Sequence, residues 1–248
     1  MLIRQLLNVI SELANANQLS RPYLVGGVVR DKLLGILDKV EDLDITCGDE
    51  GSFRLPQLLK ETIPDVIVKE QPDHHSQVII DSIKVDFSSN YRSPNINSIL
   101  NAAGLLSPTE LQKEAYSRDF TCCALLMDLD LKEVLDPTGM GVADIQKKIL
   151  RTCLPARVTL LDNPKRIPRV FYLAAKLNFS VDDEIIEWIR SNGSVISSVR
   201  QAYTVTKFNQ AIKYNKKMTV DLIDRCQIWD QLPPIEALMQ EQTSRLRK

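Results

Sequence analysis

The sequence predicts an α+β protein: a head built on a small mixed or antiparallel sheet with flanking helices, followed by an all-helical part. Three observations predict it. Short β-rich runs alternate with helical stretches over residues 20–153. From residue 154 onward strand signals vanish and 3.6-residue apolar periods dominate. Charge divides in the same way: residues 151–248 carry 16 Lys and Arg against 10 Asp and Glu, whereas the remainder carries 15 against 22. A basic half joined to an acidic half suggests a grip for a polyanion beside a carboxylate-rich centre.

Composition narrows the class. The 44% hydrophobic and 25% charged content is that of a globular chain with a packed core. No apolar run approaches the roughly 20 residues that span a bilayer, so no membrane span is expected. Residues 1–19 have apolar side chains at helical spacing, with Arg4 and Glu12 among them, which predicts an amphipathic helix and not a signal peptide. The five cysteines are odd in number and form no CxxC pair. They predict neither a disulfide framework nor a zinc site, and point to a reducing cytoplasm. Cys122 and Cys123 sit in an apolar run and read as small core residues.

Taken in order, Tyr23–Val25 reads as a strand stopped by Gly26-Gly27, and Val28–Leu34 as a helix stopped by Gly35. Leu43–Thr46 is a second strand, with a helix near Leu55–Thr62. Val66–Lys69, Gln77–Ile80 and Ile83–Phe87 are β-rich. The polar stretch Ser88–Pro108 reads as a loop, and Phe120–Met127 is compatible with a helix. Glu133–Leu135 looks extended, and Asp136-Pro137-Thr138-Gly139 is a turn. Helical periods then cover Pro164–Leu177, Asp183–Arg190, Val199–Tyr214 and Val220–Trp229, with Trp188 and Trp229 in apolar positions.

The chemistry concentrates in the first strand-turn-helix unit. Two glycines between a strand and a helix let a phosphate approach backbone N–H groups. Arg30 on that helix points back toward the turn. Asp42 and Asp44 lie two apart on a strand, so they face the same side, about 7 Å apart at Cα. Carboxylates so placed repel unless cations lie between them. Mg²⁺ prefers a few carboxylates plus substrate phosphate oxygens. Asp86, flanked by Val85 and Phe87, is a third acid that a neighbouring strand would present to the same centre, as a general base for a hydroxyl. The plain alternatives are a tight turn and a polar strand with exposed aspartates.

These residues resemble a family. Tyr23-Leu24-Val25-Gly26-Gly27-Val28-Val29-Arg30-Asp31 followed by Asp42-Leu43-Asp44-Ile45 looks like the first motif of class II tRNA nucleotidyltransferases and bacterial poly(A) polymerases, within the DNA polymerase β-like superfamily. Arg118-Asp119-Phe120-Thr121 resembles the second motif, and Asp136–Gly139 with Ala143–Gln146 the next turn and helix. Asp162-Asn163-Pro164-Lys165-Arg166-Ile167-Pro168-Arg169 resembles the motif that reads the incoming base. The likeness covers roughly residues 21–185.

The resemblance implies a nucleotidyltransferase head at 20–153 and a helical neck at 154–248 that binds RNA. It implies template-independent addition of C and/or A from CTP and ATP to a tRNA 3′ end, with poly(A)-type tailing or partial addition as narrower options. It also implies roles: Asp42 and Asp44 bind magnesium; Gly26, Gly27 and Arg30 hold the triphosphate, assisted by Arg118 and Arg169; Asp119 supports ribose recognition; Asp162, Asn163 and Arg166 read the base. Departures stand at Ser117 and Tyr172, each where an Arg is usual, and at Asn163, where an Asp is usual. They motivate a competing reading, an RNA-binding relative with impaired catalysis. The chain also stops where the family continues with helical body and tail. Either weaker recognition of a whole tRNA is expected, or help from a partner or a second copy.

Two further patterns each admit two readings. His74-His75 reads as a solvated strand connection before it reads as a metal pair. Lys213, Lys216 and Lys217 around Tyr214 read equally as a solvated helix end and as a basic RNA-binding patch with an aromatic.

Overall fold

The computed structural model describes residues 3–37, 42–70, 75–89, 95–240 and 243. The chain forms two compact units that divide between Ile145 and Gln146. His74 and residues 90–94 of the expected loop lie outside the described residues.

In the first unit, α1 (Ile3–Ala16) buries Leu6, Leu7, Ile10 and Ala14, one stripe of an amphipathic helix. Then come β1 (Tyr23–Val25), α2 (Gly27–Leu33), β2 (Asp42–Thr46), α3 (Gly48–Thr62), β3 (Ile67–Glu70), β4 (Ser76–Ile80) and β5 (Ile83–Ser88). After α4 (Ile96–Ala102) and α5 (Glu110–Ser117), the chain makes a 3₁₀ turn at Thr121–Cys123 and continues into β6 (Leu126–Asp128), β7 (Val134–Leu135) and α6 (Gly141–Lys147). The sheet order is β3-β4-β5-β2-β1-β6-β7. Each pairing is antiparallel except β2 with β5, which is parallel because α3, β3 and β4 carry the chain across between them.

Two readings of this unit change. The segment expected as a loop contains α4, and a second helix, α5, follows it, opened by a capping box in which Thr109 and Gln112 exchange hydrogen bonds. The run Phe120–Met127 is a turn and a strand, not a helix. It is buried on all sides, and continuous apolarity erases the period that tells the two apart.

The turn at Asp136 is tied to the helix that follows. Its carboxylate accepts from the Thr138 hydroxyl at 2.8 Å and from the Val142 N–H at 3.0 Å. Gly141 then lies against the backbone: a Cβ there would meet the Thr121 carbonyl oxygen at 2.6 Å.

The second unit is mostly helical, but strand signals do not vanish from it. β8 (Ile149–Leu150) and β9 (Ser180–Val181) pair in parallel, each too short to leave a period in sequence. Around them lie α7 (Ala156–Asp162), α8 (Arg166–Leu177), α9 (Asp183–Ser191) and α10 (Gln201–Cys226). Phe171 of α8 packs on Phe208 of α10 with ring centroids 4.8 Å apart. Asn215 leaves helical geometry inside α10, where sequence suggested two helices, and its side chain re-caps the second half by accepting from Met218 N–H at 3.0 Å. Trp229 is buried and donates to Asp224 at 2.6 Å, whereas Trp188 is half-buried. All five cysteines are free and buried.

Asp128, buried at the end of β6, accepts N–H groups of Lys132 and Glu133 at 2.7 and 3.0 Å, with Arg21 3.6 Å away. Desolvation pushes its carboxyl up, but these donors and Arg21 more than offset it and hold it below the ordinary carboxylate range. A depressed folded-state pKa gives stability that is present above the unfolded value and lost as pH falls through the folded one. Asp128→Ala is expected to cost about 1–3 kcal/mol at neutral pH. Urea unfolding should show the gap narrowing as pH falls below about 4.

Candidate active site

Alternation along β2 sends Leu43 and Ile45 into the core and leaves Asp42 and Asp44 on the outer face. β5 does the same with Val85 and Phe87 inward, and Lys84 and Asp86 outward. The parallel register sets Asp44 opposite Asp86 and Asp42 opposite Lys84. The expected third carboxylate therefore does sit beside the first two.

Like charges so close need a counter-cation, and here Lys84 supplies one. Its ammonium lies 2.6 Å from Asp86 and 3.3 Å from Asp42, and the hydrogen bond to Asp86 is the first cause of its raised pKa. Gln77 of β4 donates to the other Asp86 oxygen at 2.9 Å. Asp44 is open to solvent on one side and crowded by protein on the other. That crowding lifts its carboxyl above the ordinary range; Arg118 pulls it down, and Asp86 adds to the rise.

This face fits a divalent ion. Asp42 and Asp86 already converge on one cationic group, while Asp44 stands next to both and holds no lysine. Among the described residues, no cluster of three or more His, Cys, Asp or Glu forms a ready cage. The donor set is thus that of an ion completed by substrate oxygens, not of one enclosed by protein.

The Gly26-Gly27 turn lies directly above. Gly26 has φ +79°, and a Cβ there would fall 3.0 Å from the Asp44 carboxylate and 3.4 Å from the Arg118 guanidinium. The turn, the Asp44 carboxylate and Arg118 are therefore packed closely together. Arg118 is held by Glu114, one turn earlier on α5, at 2.8 and 3.2 Å. Glu114 is fully buried. Burial opposes the Arg118 charge, and Glu114 and Asp44 more than offset it. Asp119 is buried too and accepts from the Phe120 N–H at 3.0 Å. Ser117, at a position where the family has a cation, donates to the Glu114 carbonyl at 2.6 Å.

Arg30 is placed differently from the expectation of an open phosphate contact. Its guanidinium does reach back beneath Gly27, where a Cβ would meet it at 3.3 Å, but it is only 3% exposed. It is bound to Asp31 at 2.7 Å and donates to the Cys123 sulfur at 3.0 Å. Arg30 braces the turn from below.

The remaining sequence candidates belong to the second unit. Asn163 is exposed and accepts from the Lys165 N–H at 3.2 Å, forming the turn that opens α8. Arg166 donates to the Thr159 carbonyl at 3.2 Å, with Asp162 3.9 Å away. Arg169 is half-buried, and Lys213, Lys216 and Lys217 are exposed on α10. Tyr172, the other departure from the family pattern, lies under the Lys207 ammonium, 4.6 Å from the ring centroid.

Sequence reasoning missed Lys84, Gln77 and Glu114. Period-2 alternation placed Lys84 on the face of Asp86, and i,i+4 spacing linked Glu114 to Arg118, so both signals were present.

The first unit is thus a mixed sheet whose parallel centre strands present paired carboxylates under a Gly-Gly turn. Residues 22–151, a little over half the chain, match the poly A polymerase head domain. The chain belongs to that family. It is 30% identical over 206 residues to the mitochondrial CCA tRNA nucleotidyltransferase of Saccharomyces cerevisiae, covering 74% of this chain and 37% of the yeast protein. To the multifunctional CCA protein of Neisseria gonorrhoeae it is 27% identical over 221 residues, covering 87% and 50%. The chain thus spans half or less of the length of these curated relatives. A solved tRNA nucleotidyltransferase complexed with a primer tRNA and an incoming ATP analog shares the fold, with TM-score 0.72 at 23% identity over 94% of this chain and 66% of that one. The family implies a divalent metal. No described helix is long and apolar enough to cross a membrane.

Glu114→Ala would strand the Arg118 charge in a buried setting. The expected cost is about 3–5 kcal/mol, read by urea unfolding. A loss below about 1 kcal/mol would show that Arg118 keeps its place without this partner.

Proposed function

We propose that this chain is a template-independent RNA 3′-end nucleotidyltransferase that transfers CMP and/or AMP from CTP and ATP to a tRNA 3′ end. The observation that carries the reading is the in-register pairing of Asp44 with Asp86, Asp42 on the same face, and Gly26 in contact with Asp44. The tRNA named for the similar proteins supplies the substrate class. Five free, buried cysteines support a reducing cytoplasm as its setting.

Asp42 and Asp44 are the residues that hold magnesium, whose chemistry is to neutralise triphosphate charge and polarise the attacking and leaving oxygens. The Gly26-Gly27 turn, braced by Arg30, admits the triphosphate, and Arg118 and Arg169 add positive charge to it. Asp119 orders the ribose-binding turn through the Phe120 N–H. The RNA 3′ oxygen attacks the α-phosphorus, the bond to the β-phosphate oxygen breaks, and pyrophosphate leaves. Asp86 accepts the hydroxyl proton once Lys84 releases one of its oxygens. Asp162, Asn163 and Arg166 read the base, Asn163 offering amide donors where a carboxylate has none. Lys213, Lys216 and Lys217 contact RNA phosphates.

One observation favours a second reading. The ammonium of Lys84 already sits where two of the acids converge, as it would in an RNA-binding relative that needs no metal.

Extension of tRNA transcripts ending before CCA, after C and after CC, with magnesium and single labelled nucleotides, separates the two. Incorporation of CTP and then ATP is expected. Asp42→Ala and Asp44→Ala should each lower it at least about a hundredfold, since several kcal/mol of charge stabilisation are lost. Wild-type protein that binds these RNAs and extends none of them would sink the enzyme reading in favour of the binding module.

A further inference from the structure

The helical unit contains a concentration of charge in which one cation, Lys207, has no part in the function proposed above. Neither α8 nor residues 201–217 of α10 contain an Asp or Glu. Together they carry Arg166, Arg169, Lys176, Lys207, Lys213, Lys216 and Lys217. Lys213, Lys216 and Lys217 are exposed, and Arg166, Arg169, Lys176 and Lys207 are half-buried, with Lys207 built into the fold. Its ammonium stands 4.6 Å from the Tyr172 ring centroid and 5.7 Å from that of Tyr203, and it donates to the Gln210 side-chain oxygen at 3.0 Å. No carboxylate partners it among the described residues. Partial burial, and then the proximity of Arg169, pushes its pKa below the ordinary lysine value. Two cations side by side repel, and the two rings and one amide that hold Lys207 neutralise none of its charge. What neutralises a held cation of this kind is an anion from outside.

A ring stands next to that position. Tyr172 and Tyr214 approach to 6.0 Å between centroids, and Tyr214 is 54% exposed. Lys213, Lys216 and Lys217 flank Tyr214, where the backbone at Asn215 leaves the helix. An anion seat, an open ring and a row of further cations along one helix match a single strand, with phosphates for the cations and a base face for the ring.

We propose that Lys207 seats a phosphate of the single-stranded RNA end, with Tyr214 stacking an unpaired base beside it. The proposal rests on the reading of this chain as an RNA-extending protein and adds where the strand lies on the neck. Lys207 acts in binding and touches no reacting atom.

The test is fluorescence anisotropy with a short labelled single-stranded oligoribonucleotide, and with tRNA lacking CCA, over a series of salt concentrations, alongside calorimetric titration with CTP and ATP. Lys207→Met is expected to weaken binding of both RNAs about tenfold. It should reduce the slope of log affinity against log salt by about 0.7, the loss of one phosphate contact on a single strand. Nucleotide affinity should be unchanged, and Lys207→Arg should restore RNA binding. Tyr214→Ala should weaken RNA binding about tenfold with the salt slope intact, as loss of stacking predicts. A Lys207→Met protein with wild-type melting, RNA affinity and salt slope overturns the proposal. So does a fall in CTP and ATP affinity with RNA binding unaffected, which moves the seat to the triphosphate. Wild-type protein that binds neither RNA overturns the parent reading as well, and so the two failures are distinguishable.

Discussion

The site depends on one pairing, the parallel alignment of β2 with β5. Side-chain period in a strand is two, so a slip of one residue would turn Asp42 and Asp44 into the core and Leu43 and Ile45 out to water. Burying two such carboxylates unpaired costs far more than the sheet can return. The register is therefore fixed by what may not be buried, and the same constraint that folds the sheet gathers the acids on one face. The rest of the head follows from it. The crossover through α3, β3 and β4 exists because parallel neighbours cannot be joined by a tight turn. Gly26 lacks a side chain because one would press on Asp44. Arg118 is anchored through buried Glu114 so that its charge faces that carboxylate from a fixed position.

Much of this was legible in the amino acids, and the exceptions have physical reasons. The strand at Tyr23–Val25, the paired aspartates and the position of Asp86 announce themselves by alternation and by acids set among apolar residues. The helices α4 and α5 lie in a polar stretch whose apolar positions are too few to show a period, and only the Thr109–Gln112 box marks the second. The run at Phe120–Met127 failed for the opposite reason: every position is buried. Arg30 illustrates a deeper limit. Its place on the helix was readable, but its confinement depends on Cys123, 93 residues away, and long-range packing has no local signature.

The helical unit repeats the logic of charge with the opposite sign. In the head, acids share a face and a lysine comes to them; α8 and residues 201–217 of α10 carry cations and no acid. Tyr172 belongs to this second arrangement. A departure from the family at that position looks like a lost charge when sequence is read alone. In the folded unit the ring lies under Lys207, and so a cation from α10 stands over α8 at that point.

Lys84 is where competing demands on the head meet, and magnitudes decide between them. Its ion pairs with Asp86 and Asp42 are short, but the lysine is 39% exposed and Asp42 is 70% exposed. Pairs this open contribute about 1 kcal/mol or less, because water screens the attraction and two side chains lose freedom. A divalent ion doubles the charge offered to the same carboxylates and recruits phosphate oxygens as further ligands. The lysine therefore relieves repulsion among the acids without being strong enough to bar them from a metal. By that measure the Lys84 contact is no obstacle to a metal on this face, and it weakens the case for an RNA-binding relative that needs none.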